Sequence, residues 1–122
     1  MDTSRSASDP GLWESGVSLF SGRRDPSWPV PADRARRLEV IWGALTPTTD
    51  PPPAAPPLGY RGCFTRDPGG RRWDAYGGRV MLTAGGATET RADPDRQFES
   101  AVLDSAPAEA LSPAVRTAIR LR

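Results

Sequence analysis

The sequence predicts an α+β domain, an antiparallel sheet of three to four strands with two or three helices packed on one face. Three observations lead there. Between Gly59 and Leu82 apolar and polar residues alternate around the turn signal Asp67-Pro-Gly-Gly70, the pattern of a hairpin. Leu38, Ile41, Trp42 and Leu45 recur at spacings of three and four, which builds a single apolar stripe on a helix. Further on, Asp93-Pro94 and Ser112-Pro113 each place a capping side chain ahead of a proline suited to a first helical turn.

Residues 1–10 are mostly Ser, Asp and Thr with a Pro at the end, too little apolar content to order the segment, and read as a disordered tail, leaving 11–122 as one domain. The first strand falls within Leu12 to Phe20, where Val17 and Leu19 share a face. Gly22, Pro26 and Pro29 then predict irregular chain from Ser21 to Val30, anchored by Trp28. The helix follows from Pro31 to about Leu45, with Asp33 in its first turn complementing the dipole. Residues 46–57 contain Thr46-Pro47 and Pro51-Pro-Pro-Ala-Ala-Pro-Pro57, a stiff extended connector.

Alternation in the hairpin puts Tyr60, Gly62 and Phe64 on one face and Arg61, Cys63 and Thr65 on the other. In the next strand Trp73 and Ala75 oppose Arg72, Asp74 and Tyr76. Gly77-Gly78 either bends that strand as a bulge or begins another, and Val80 with Leu82 restores the apolar face. Ala84-Gly-Gly-Ala87 is a further turn, leading to a polar strand over Thr88 to Arg91. Pro94 starts a helix that runs to about Ser105 with Phe98, Ala101 and Val102 inward, and Val115, Ala118 and Ile119 mark a last short helix. The expected core is therefore Leu38, Ile41, Trp42, Leu45, Phe98 and Val102 against Val17, Leu19, Phe64, Trp73, Val80 and Leu82. Arg61, Thr65, Arg72, Asp74 and Tyr76 are left on an open sheet face.

Composition narrows the chemistry. Across 122 residues there is no His, no Lys and no Asn, all 16 basic residues are Arg, and 15 acidic residues bring the formal charge to +1. The Arg, Ala, Gly and Pro usage has the look of a high-GC bacterial genome. Absence of His and Lys removes the usual nucleophile–base pairs, Schiff-base chemistry and the phosphate-binding lysine loop. Cys63 is the only cysteine, so neither an internal disulfide nor a cysteine zinc site is available, and no metal or cofactor is expected. Its neighbour Arg61 keeps a reactive thiol in view, against the commoner role of a small buried apolar group. No segment is long enough to span a bilayer, and the N-terminus lacks the apolar run of a secretory signal, so the expected setting is cytoplasmic, without a membrane partner.

Two functional readings remain. In the first, a non-enzymatic interaction module binds a protein or peptide through the sheet face bearing Arg61, Arg72 and Tyr76, since Arg and aromatic groups are enriched at contact surfaces. In the second, Arg23, Asp25 and Trp28 of the 21–28 loop join Tyr60 and Arg61 around a small anion, as a binding site or a carboxylate-dependent enzyme, because Arg forks bind carboxylate and phosphate bidentately. Nucleic acid is disfavoured by the balanced, interspersed charge. A chain with this residue vocabulary recognises more readily than it transforms.

The order strand, Ser21-Gly22-Arg23 loop, helix and Leu58-Gly-Tyr-Arg-Gly62 resembles a set of small bacterial proteins of unknown function, with Arg24 standing where that pattern carries Pro. The resemblance covers about half the chain. It implies a single domain and attaches no activity.

Overall fold

A computed structural model describes residues 12–19, 25–51, 53–54 and 60–120, apart from the side chains at 114, 118 and 120. Among the described residues seven strands form one antiparallel sheet: β1 (Trp13–Val17), β2 (Ser27–Val30), β3 (Thr46–Pro47), β4 (Cys63–Arg66), β5 (Arg72–Tyr76), β6 (Arg79–Ala84) and β7 (Ala87–Ala92), in the spatial order β2-β1-β4-β5-β6-β7-β3. The helices among the described residues are α1 (Ala32–Ala44), α2 (Gln97–Asp104) and α3 (Pro113–Arg120). The class is the one expected, but the sheet is wider than three to four strands. The proposed tail at 1–10 lies outside the described residues.

The meander β4 to β7 is built by its glycines. Asp67 N donates to Arg71 O at 3.0 Å, closing the first hairpin, and the Asp67 carboxylate takes the Arg71 amide at 2.8 Å. Gly77 and Gly78, at φ 60° and 87°, make a two-residue turn between the paired residues Tyr76 and Arg79, so Gly77-Gly78 begins a new strand. Two positive φ values in succession match the twist of the flanking strands, a conformation open to glycine at little cost. Gly85-Gly86 repeats the device between β6 and β7.

Both edge strands depart from the sequence reading. Ser27–Val30, expected to be irregular, pairs with β1, and Thr46–Pro47, expected to belong to the connector, pairs with β7 at Ala92 and Arg91. Each carries a proline, Pro29 or Pro47, and sits at an outer position, where a missing amide donor breaks no ladder. Of the rest of the connector, residues 52 and 55–57 lie outside the described residues.

A third correction concerns β4. Cys63 and Thr65 face inward and are buried, whereas Phe64, expected in the core, is half-buried on the opposite face. The cause is Gly62 at φ 114°, which interrupts the alternation so that Tyr60 and Cys63, three residues apart, both point inward. Thr65 tolerates burial because Ser15 Oγ donates to its hydroxyl at 2.8 Å, while Thr65 donates on to Glu14 O.

The inner face is covered by α1 and α2. Val17, Val30, Trp73, Ala75 and Val80 of the sheet meet Ala35, Leu38, Ile41 and Trp42 of α1 and Phe98 and Val102 of α2. Trp13 stacks on Trp73 with centroids 5.0 Å apart and planes 13° from parallel. Arg91 fastens α1 to β7: its guanidinium lies 4.2 Å from the Trp42 ring centroid and donates to Trp42 O at 2.8 Å.

Asp93 caps α2, although the helix starts at Gln97 rather than at Pro94. The buried carboxylate accepts from Gln97 N at 2.8 Å, Phe98 N at 2.9 Å and Glu99 N at 3.4 Å, while Arg96, just before them, turns left-handed at φ 54°. Asp93→Ala would remove the acceptor shared by three amides in the first turn of α2. The expected loss is about 2 kcal/mol, read as a lowered urea midpoint.

Candidate functional site

The sheet face opposite α1 and α2 carries the site. Register places Phe64, Asp74 and Met81 side by side across β4, β5 and β6, with Tyr76 next to Arg79 in the neighbouring row. These side chains wall a recess of about 280 Å³, into which Arg61, Arg72 and Arg79 also project. Among the described residues Arg61, Arg72, Arg79 and Asp74 are the charged residues that line it, with Arg72 paired to Asp74 and Arg79 to Asp50.

The charged groups are held in place by one another and by rings. Arg72 Nε and Nη2 fork onto Asp74 Oδ1 at 3.1 and 3.0 Å, and the same guanidinium lies 4.3 Å from the centroid of Phe64. Arg66, the cross-strand partner of Arg72 and 5.7 Å from that centroid, pairs with Glu14 through Nε at 2.9 Å. That bond to Arg66 is the main reason the Glu14 carboxyl sits below the usual carboxylate range. Arg79 Nη1 donates to Gly78 O at 3.0 Å, and its Nη2 reaches Asp50 at 3.4 Å. Phe64 has room to lie flat because residue 16 is glycine, where a Cβ would come within 2.6 Å of the ring.

Of the residues singled out from sequence, Arg61, Arg72 and Tyr76 come together at this recess. The others do not join them. Trp28 is buried in the core, its Nε1 donating to Ser105 Oγ at 2.9 Å, so that the ring ties β2 to the end of α2. Tyr60 is buried on the inner side and its hydroxyl donates to the carboxylate of Glu99, itself buried on α2. Asp25 accepts from Leu19 N at 2.9 Å, which braces the chain after β1. Arg23 lies outside the described residues. Cys63 is buried, with its thiol 3.8 Å from Glu99 O.

Phe64, Arg79 and Met81 were missed by the sequence reading, the first because its face was inverted. The available signal was cross-strand: once the two tight turns fix the registers, Phe64, Asp74 and Met81 must fall in one row. Among the described residues no three His, Cys, Asp or Glu side chains gather as a metal-binding group, and no helix is long and apolar enough to cross a membrane. Comparison with protein families, curated proteins and solved structures finds no match, so the functional reading rests on this geometry.

Proposed function

We propose that this protein is a non-enzymatic interaction module that binds an acidic peptide segment of a partner protein, seating an apolar side chain of that segment in the recess over Phe64, Tyr76 and Met81. The observation that carries the reading is the composition of the recess, half-buried rings and a methionine surrounded by three arginines and one aspartate. Arg and aromatic side chains supply apolar contact area and oriented donors together, the combination that dominates peptide and protein recognition. Because the recess sits on hydrogen-bonded strands, its side chains need little ordering when a partner arrives. The proposed setting is the cytoplasm, which accords with a single buried thiol.

Selection of a displayed random-peptide library on the intact protein tests this. Enriched peptides should pair Asp or Glu with Trp, Phe or Leu. The Arg61→Ala/Arg72→Ala double variant should bind them at least about tenfold more weakly, since it removes two charge-assisted contacts, whereas Arg23→Ala should leave binding unchanged. Enrichment without acidic residues, or affinity indifferent to the double variant, would overturn the proposal. So would salt-sensitive binding of a single-stranded oligonucleotide to the same face.

A further inference from the structure

We propose that a second cavity, between α2 and α3 and separate from the sheet-face recess, binds a small amphipathic anion, a carboxylate carrying an apolar tail. Its volume of about 310 Å³ lies at the low end of the roughly 300–1,000 Å³ typical of small-molecule sites. Leu103, Leu111 and Ile119 supply apolar wall, and Leu111 and Ile119 belong to the buried core. Arg96, Arg116 and Ser100 supply the polar part.

The two arginines are set differently. Arg116 is tethered through Nε to Leu111 O at 3.1 Å and through Nη2 to Pro107 O at 3.3 Å, so its guanidinium is fixed across the start of α3. Arg96 makes no hydrogen bond or ion pair through its side chain among the described residues. Its backbone, at φ 54° and ψ 38°, is left-handed because its amide is drawn to Asp93 O at 2.9 Å while the Asp93 carboxylate caps the next residues. Glycine or asparagine occupies such a conformation more cheaply than arginine. Here the costlier residue stands, and it lines a cavity whose wall is mostly polar, with Leu103, Leu111 and Ile119 as its apolar part. Asp104, exposed on the wall, joins neither arginine in an ion pair among the described residues, which leaves two positive groups against one negative. An Arg fork matches a carboxylate, and the leucine and isoleucine wall selects for a tail that acetate or phosphate lacks.

Isothermal titration calorimetry of the full chain with octanoate, acetate and octanol tests the assignment. Saturable binding of octanoate, with neither acetate nor octanol saturating over the same concentrations, is expected. Arg96→Gly should weaken octanoate binding about tenfold or more while its melting temperature stays level or rises, because the substitution relieves the left-handed backbone. Arg96→Asn, which also accepts that conformation, is the second variant and should behave alike in binding. Absence of saturable octanoate binding, binding by both variants as tight as that of the unsubstituted protein, or octanol binding as tightly as octanoate would each overturn the proposal.

Discussion

Trp73→Ala should cost about 4 kcal/mol, a large share of the roughly 5–15 kcal/mol that holds a domain of this kind folded. Trp73 is 1% exposed at the centre of the inner sheet face and is touched from three sides. Trp13 stacks on it at 5.0 Å, Phe98 of α2 tilts against it at 6.4 Å, and Arg71 lies 4.8 Å from its ring centroid. Truncation leaves a cavity that the paired strands on either side cannot close, and it removes the partner of a second tryptophan. Trp73→Phe should cost far less, about 1 kcal/mol. The reason is polar: the indole Nε1 is buried without a hydrogen-bond partner among the described residues, so losing that donor offsets part of the lost area. Urea unfolding followed by circular dichroism measures both. A Phe variant as unstable as the Ala variant would show that the shape of the whole indole, not retained aromatic area, sets the contribution of this position.

How far the chain could be read beforehand depended on whether a signal was local. The hairpins were legible because glycine pairs at 77–78 and 85–86 and the Asp67-Pro-Gly-Gly70 turn demand special backbone conformations that few other residues supply. The helices were legible from stripe and cap, although Asp93 reaches past Pro94 to serve amides at 97 and 98. The two proline-bearing edge strands were not, because a proline that breaks an inner ladder is harmless on an outer one, and strand position is a tertiary property. Tyr60 illustrates the same limit within the candidate site. Its ring and hydroxyl looked available for a ligand, yet a carboxylate 39 residues away, on α2, draws it into the core. Arg61, Arg72 and Tyr76 were recognisable as open-face residues, while the aromatic centre of that face, Phe64, was hidden by a change of alternation at one glycine.

That glycine is where fold and recess are joined, and Gly62→Val should lower stability by about 3 kcal/mol. Two effects combine there. At φ 114° the backbone occupies a region that side chains with a Cβ rarely enter, and a Cβ would stand 2.8 Å from Ala75 O and 3.1 Å from Tyr76 Cβ. Neither neighbour yields easily, since Ala75 belongs to the β4–β5 ladder and Gly62 O itself accepts from Ser18 N at 2.9 Å. Gly70→Ala separates the effects: its φ of 99° carries comparable backbone strain, but nothing lies within 4 Å of the added Cβ, so about 1 kcal/mol is expected. The excess at position 62 therefore measures overlap with β5. It should also reach the recess, because relieving that overlap pushes Tyr76 and turns the start of β4, moving Phe64 relative to Arg72. Aromatic proton shifts of Phe64 and Tyr76 should change in Gly62→Val and stay unchanged in Gly70→Ala. Equal stability losses in the two variants, or ring shifts untouched at position 62, would show that the alternation at β4 is set by pairing with β1 rather than by this residue.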